Sequence, residues 1–262
     1  MTHGSKTALI TGASSGIGAT FARRLAASGH DLVLVARRRE RLDALARELA
    51  EQHAIATEVL PADLSEAADV EHVEQRIEAD TGLEMLVNNA GFGSRHDFVE
   101  LDLAMQLDMI HVHVLASVRL ARAALPQMIA RRSGTIINVS SLAAFMPMPK
   151  SVTYAATKAY LVAFSEGLAK ELAGTGVRVQ ALCPGFTYTE FHDTPEFSEF
   201  GRSEVSKGLW MSAEDVVAES LGSLDGKRTV CIPGRRNRIL LALGRSPLGP
   251  LIIRALAKKR WE

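Results

Sequence analysis

The sequence predicts an α/β fold with a doubly wound, seven-stranded parallel sheet that carries helices on both faces. Two observations lead there. Short, almost purely apolar runs alternate with longer amphipathic ones, the pattern of strands covered on both sides by helical crossovers. The first apolar run also passes into a helix through a glycine-rich turn, which sets a helix N-terminus at the edge of the sheet. The chain has 262 residues, enough for one large domain, and no linker-like block interrupts the first 230 residues.

The strands are expected at TALI (7–10), DLVLVA (31–36), TEVL (57–60), EMLVNN (84–89), GTIINVS (134–140), VRVQALC (177–183) and RTVCI (228–232). Helices are expected near 17–28, 38–52, 66–80, 102–131, 152–173 and 213–224. Seven such strands joined by right-handed crossovers give a Rossmann-type arrangement. Pro126 falls within 102–131 and is expected to bend or end that helix.

Lys plus Arg and Asp plus Glu number 30 each, so the overall field gives no reason to expect a nucleic-acid partner. No apolar run is long enough to span a bilayer, and MTHGSKTALI has no signal-peptide pattern, so a cytoplasmic protein is expected. Cys183 and Cys231 form no metal-type pair and read as reduced structural thiols. The charge is unevenly spread. From Arg235 onward there are eight cations against Glu262 alone, a net +7, which leaves −7 on residues 1–234. That basic C-terminal tail, residues 235–262, contains PLGPLIIRALAKKRW, a candidate amphipathic helix for a partner subunit or an anionic membrane surface.

ALITGASSGIGATFARRLA runs from strand to helix through Gly12, Gly16 and Gly18. Glycines let a backbone turn tightly and approach a pyrophosphate, whose charge then sits at the helix N-terminus. The spacing is one residue longer than the standard dinucleotide fingerprint. An NAD-preferring site carries an acid at the end of the second strand; here the strand ends in Ala36, Arg37, Arg38 and Arg39. Guanidinium groups suit a 2′-phosphate, and cations at a helix start oppose its dipole unless an anion joins them. NADP(H) is therefore the expected cofactor. In SVTYAATKAY, Tyr154 and Lys158 stand four apart on one helical face, where a lysine can lower the pKa of a neighbouring phenol.

These residues resemble the short-chain dehydrogenase/reductase family, in order and over nearly the whole chain. TGASSGIG resembles its cofactor loop, which implies contacts from Gly12, Ser14, Ser15, Gly16, Ile17 and Gly18. Asp63, in the Ala62–Asp63 pair, with Leu64 after it, matches the adenine contact. NNAG matches the central-strand motif, with Asn88, Ala90 and Gly91, and PGFTYT the nicotinamide turn, with Pro184, Gly185, Thr187 and Thr189. NVSS followed by YAATK resembles the catalytic segment. The resemblance implies Ser141, thirteen residues before the tyrosine, together with Tyr154 and Lys158 as catalytic groups. Lys158 would also bind the cofactor's ribose.

At the position of the family's asparagine stands His113, in MIHVHVLA. In the family that residue braces a helix kink beside a proton relay, and a histidine is able to hydrogen-bond there. Being titratable, it is expected to add an ionisation in the acidic range. His111 and His113 are two apart and face different sides, so they do not read as a metal pair. Phe186, Tyr188, Phe191, Phe197, Phe200, Trp210 and Met211 fall where the family has its substrate lid, and Phe92, Phe145, Met146 and Met148 extend the apolar set. The expected function is hydride transfer between a lipophilic ketone and a secondary alcohol, in a homodimer or homotetramer. The alternatives are a 3-oxoacyl-thioester reductase and a non-catalytic NADP-binding sensor.

Overall fold

The computed structural model describes residues 6–197, 200–226 and 228–244. In chain order the elements begin with β1 (Thr7–Thr11), α1 (Gly16–Ala27), β2 (Asp31–Ala36), α2 (Arg39–His53) and β3 (Thr57–Pro61). They continue with α3 (Ala67–Glu78), β4 (Leu83–Asn88), α4 (Leu103–Ile110), α5 (Ala116–Arg131) and β5 (Gly134–Val139). Then come α6 (Val152–Glu171), β6 (Val177–Leu182), β7 (Thr187–Tyr188), β8 (Met211–Ser212), α7 (Ala213–Gly222), β9 (Val230–Cys231) and α8 (Arg235–Gly244).

All seven expected strands pair in parallel, in the order β3-β2-β1-β4-β5-β6-β9. The chain winds outward from β1 to β3 and then returns to lay β4 against β1. That reversal opens a crevice beyond the carboxyl ends of β1 and β4, where sheets of this kind bind ligands. Side chains alternate between the two faces. Ile10, Leu34 and Val87 join Phe21 and Leu25 of α1 and Leu42 of α2, whereas Leu9, Val33 and Leu86 meet Val73 of α3 and Leu120 of α5. Both faces are covered by apolar packing, so the central strands read as continuous apolar runs rather than alternating ones. Phe21 is fully buried, and truncating it to alanine would cost about 3–5 kcal/mol.

Helix α1 stops through a left-handed glycine. Gly29 has φ +79°, its N–H donates to the Ala26 carbonyl at 2.9 Å, and the His30 N–H donates to Leu25 at 3.1 Å. The stretch 102–131 behaves differently from expectation. Of the two outcomes expected at Pro126, ending the helix is excluded, since α5 runs on to Arg131; the interruption is a π-helical turn at His111–Leu115, between α4 and α5. There the Ala116 N–H reaches back five residues to the His111 carbonyl. The small β7–β8 ladder and α8 were not expected from periodicity. The candidate helix in PLGPLIIRALAKKRW lies outside the described residues. Cys183 and Cys231 are both free and buried. Among the described residues no helix is long and apolar enough to cross a membrane.

Candidate active site

A cavity of about 1890 Å³ occupies the crevice at the carboxyl edge of the sheet. Ligand pockets usually span roughly 300–1,000 Å³, so this one has room for a dinucleotide and a second molecule. Its floor at one end is the glycine turn. Gly12 has φ +66°, and a Cβ there would stand 2.7 Å from Asn89 Nδ2. A Cβ on Gly18 would collide with the Gly12 carbonyl oxygen, so that glycine lets helix and loop touch rather than facing the cavity. Ser15 is the N-cap of α1 but makes no side-chain cap; its hydroxyl instead accepts from Arg38 at 2.8 Å. The first turn of the helix is thus left to an anion, as a pyrophosphate would require.

Arg37 and Arg38, expected at the adenosine end, line the cavity beside the glycine turn. Arg37 is 70% exposed and lies 3.6 Å from Asp63, whose carboxyl is lifted by burial yet held lower overall by Ser65 and Arg37. Ile17, Leu64, Ala90 and Gly91 also line the cavity, as do Ser141, Tyr154 and Lys158. Asn88 does not. Its amide lies below the cavity, donating to Asn138 Oδ1 at 2.9 Å and to the Ser117 carbonyl at 3.3 Å. The neighbouring Asn89 faces the cavity, because alternate residues leave a strand on opposite sides.

At the other end Ser141 follows β5, while Tyr154 and Lys158 stand one turn apart in α6. The Lys158 ammonium is 5.7 Å from the centroid of the Tyr154 ring and donates to the Val139 carbonyl at 2.9 Å. Burial brings Lys158 down to about 7 and pushes the Tyr154 phenol up to about 12, a rise that a hydrogen bond with Ser141 opposes. The lysine therefore does not by itself give the low phenol pKa expected from the spacing; desolvation is the larger effect. The choice between adjacent serines is plain. Both serines border the cavity, but Ser140 is buried and spends its hydroxyl on the Lys158 carbonyl at 2.7 Å, whereas Ser141 is only half-buried.

His113 is fully buried in the π-helical turn and outside the cavity lining. Its Nε2 accepts from the Phe92 N–H at 3.1 Å, which places the proton on Nδ1, 2.8 Å from Thr157 Oγ1. Thr157 donates in turn to the Tyr154 carbonyl at 2.8 Å. One chain of bonds thus ties the loop after β4 to the first turn of α6. Burial, then the Lys158 charge, pushes the imidazole well below its ordinary range, so the ionisation expected from sequence is moved down from where a free histidine would titrate. Both ring nitrogens are taken by protein, which also leaves neither for a metal.

Pro184, Gly185, Thr187 and Thr189 form the turn after β6, and Thr189 Cγ2 packs against Gly16 across the cleft. The lid beyond it is an aromatic cluster centred on His192, a residue that sequence reasoning missed. Its ring stands 5.1 Å from Phe191 and Phe200, 5.3 Å from Phe197 and 5.4 Å from Trp210. Burial, with Arg202 nearby, lowers the His192 pKa to about 4. Asn237, Leu240 and Gly244 of α8 complete the wall, and a Cβ on Gly185 would strike Asn237. The first residues of the basic tail therefore belong to the same cavity.

Fold and site together define a dinucleotide-binding α/β protein with a tyrosine–lysine pair in its cleft. The chain belongs to the short-chain dehydrogenase family, whose model matches residues 6–196. It is 36% identical over 190 residues to the very-long-chain 3-oxoacyl-CoA reductase of Anas platyrhynchos, covering 70% of this chain and 60% of that one. The chain thus spans less than two thirds of that relative's length. A solved short-chain dehydrogenase from Sphingobium yanoikuyae in complex with NADPH superposes with a TM-score of 0.82 at 35% identity, over 97% of this chain and 94% of that chain. The bulky-bulky ketone specific alcohol dehydrogenase from Comamonas testosteroni gives 0.78 at 35% identity, over 92% of each.

Proposed function

We propose that the protein is an NADP(H)-preferring oxidoreductase that interconverts an apolar ketone and a secondary alcohol. The observation that carries this reading is one cavity with the glycine turn and Arg37 at one end and Ser141, Tyr154 and Lys158 at the other. A nicotinamide dinucleotide, when bound, supplies the hydride for reduction and accepts it in oxidation. The chain's own residues handle the proton. In reduction Tyr154, held protonated at neutral pH by burial, donates to the carbonyl oxygen as negative charge develops there. Ser141 holds that oxygen by a hydrogen bond that strengthens with the charge. Lys158, when protonated, stabilises the phenolate left behind and binds the ribose hydroxyls. Oxidation needs the phenolate at the outset, so it is favoured as pH rises.

The aromatic lid, with Phe145, Met146 and Met148 opposite, supports a lipophilic substrate, as does the likeness to a bulky-ketone alcohol dehydrogenase. A 3-oxoacyl-thioester reductase is the second reading, favoured by the likeness to the Anas platyrhynchos protein. A sensor without turnover would have no use for the intact trio. Two further parts complete the proposal. Self-association as a homodimer or homotetramer is supported by the exposed apolar stripe Leu103, Leu107 and Ile110 on α4. A cytoplasmic location is supported by the unpaired thiols. The +7 tail would bind the partner subunit or an anionic membrane surface.

NADPH consumption with bulky ketones and with 3-oxoacyl thioesters separates the two substrate classes. Tyr154→Phe should lower turnover ~10²–10⁴-fold while NADPH affinity stays near normal, since only the hydroxyl is lost. Ordinary turnover in that variant would exclude the mechanism.

A further inference from the structure

Glu190 begins the short 3-10 turn after Thr189, on the lid side of the dinucleotide cleft. Its carboxylate reaches α2 on the opposite wall. Arg41 Nη1 donates to both oxygens at 2.7 Å, and Arg38 Nη1 donates to Oε2 at 3.0 Å. Arg38 is anchored from behind as well. Its Nε and Nη2 donate to the Ser14 hydroxyl at 3.1 and 2.9 Å, and Nη2 donates to Ser15 at 2.8 Å. Lid and phosphate loop are thereby joined by one run of contacts, Glu190 to Arg38 to the two serines. The Arg41 and Arg38 guanidinium groups hold the Glu190 carboxyl below its ordinary range.

A single exposed ion pair contributes little, because two free side chains must be ordered to make it. This arrangement differs in two respects. One carboxylate is shared by two guanidinium groups, and one of those is already fixed by two hydroxyls of the cofactor loop. The hydride-transfer reading uses neither Glu190 nor Arg41.

We propose that Glu190, Arg38 and Arg41 form a clasp that holds the lid closed over a bound dinucleotide and sets its rate of release. The inference rests on the reading of this cleft as an NADP(H) site. A dinucleotide lying between the glycine turn and the lid leaves only when the two part, and parting them breaks both contacts of Glu190. Arg38 is expected near the adenosine end, but its Nε, Nη1 and Nη2 donors are taken by Ser14, Ser15 and Glu190, so the clasp slows release of NADPH and NADH alike. Discrimination between them stays with Arg37, whose guanidinium is 70% exposed and has Asp63 at 3.6 Å. Ser14, Ser15, Arg38 and Glu190 line the cavity and Arg41 does not, so Arg41 is a positioning residue that acts through Glu190.

The test is stopped-flow displacement of NADPH and of NADH, read by nicotinamide fluorescence, on the full chain. Wild type, Glu190→Gln, Arg41→Gln and the double variant are compared. Each single variant should release both dinucleotides about three- to fivefold faster, the effect of losing a partly exposed pair, with association unchanged. The double variant should be no faster than Glu190→Gln, because Arg41 acts only through Glu190, whereas Arg41→Gln alone keeps the Arg38 contact. In the cofactor-free protein both variants should also be cut faster by trypsin at Arg202 and Lys207, within the lid. Slower release of NADPH alone in Glu190→Gln would overturn the clasp and make Glu190 a competitor of the 2′-phosphate. Unchanged release in a folded Arg41→Gln protein would overturn it too. Wild type that binds neither dinucleotide would remove the cofactor reading and the clasp with it.

Discussion

At position 113 a histidine stands where the family pattern has an asparagine, and both its ring nitrogens are engaged. The folded protein holds this imidazole neutral, with its pKa depressed by burial. As pH falls below about 6.5 the unfolded chain takes up a proton that the folded one refuses, so stability declines by up to about 1.4 kcal/mol per pH unit. Denaturant midpoints measured between pH 7 and 5 should show that slope, and His113→Asn should flatten it. The pH–rate profile for reduction should carry no limb from His113, and its shape should be the same in the variant. An acidic limb that vanishes in His113→Asn would mean the imidazole titrates in the folded enzyme. At this scale the sequence was informative wherever spacing alone decides contact, as with Tyr154 and Lys158 on one helical face. It was silent where contact is tertiary. Nothing in MIHVHVLA announces Phe92 and Thr157 as the partners of His113, and a one-residue ambiguity in NNAG put Asn88 where the fold turns Asn89.

The elements differ in how plainly the sequence announces them, for physical reasons. Strands β1, β2, β4 and β5 are mostly buried runs that the two-sided core requires, so each stands out from the polar residues around it, whereas the edge strand β3 (Thr57–Pro61) is only half-buried. The two-residue strands β7 and β8 are too short to show any period, and a π-helical turn shifts the helical register without altering the apolar content of 102–131. The lid was legible as a set of aromatics but not as an assembly around His192. Trp210 is its keystone: it is 7% exposed, stacks on Tyr188 at 4.8 Å and meets Phe186 at a tilt at 5.3 Å. Removing a buried indole costs about 3–5 kcal/mol where the surroundings cannot collapse. In a peripheral element that loss acts chiefly on local opening rather than on global unfolding. Trp210→Ala should therefore raise KM for bulky ketones and admit trypsin to the lid while leaving the main thermal transition within a few degrees. A variant with unchanged KM across a ketone size series would show that the cluster packs the lid without shaping the substrate site.

Across the whole molecule, the order of the sheet decides where a ligand can couple distant parts of the chain. The cavity beyond β1 and β4 is walled by the phosphate loop, by α2 through Arg38, by α6 and by the segment from Pro184 to α8. A dinucleotide bound there bridges walls that are far apart in sequence, so it stabilises the folded state as one unit. Ligand at a hundred times its dissociation constant adds about 2.7 kcal/mol. In a domain of this size that corresponds to a rise in Tm of roughly 5–10 °C. Arg37 lines the cavity, is 70% exposed and has Asp63 at 3.6 Å, so a 2′-phosphate bound there would gain a charge-assisted contact that a free hydroxyl would not. At equal concentrations NADPH should thus shift Tm further than NADH, by about 3–5 °C for each tenfold difference in affinity. Arg37→Asp should bring the NADPH shift down to the NADH value or below it, since a carboxylate repels the phosphate and accepts a ribose hydroxyl instead. Differential scanning calorimetry of both proteins with each dinucleotide checks this directly. Equal shifts by NADH and NADPH in the wild-type chain would show that the basic end of β2 does not select the cofactor.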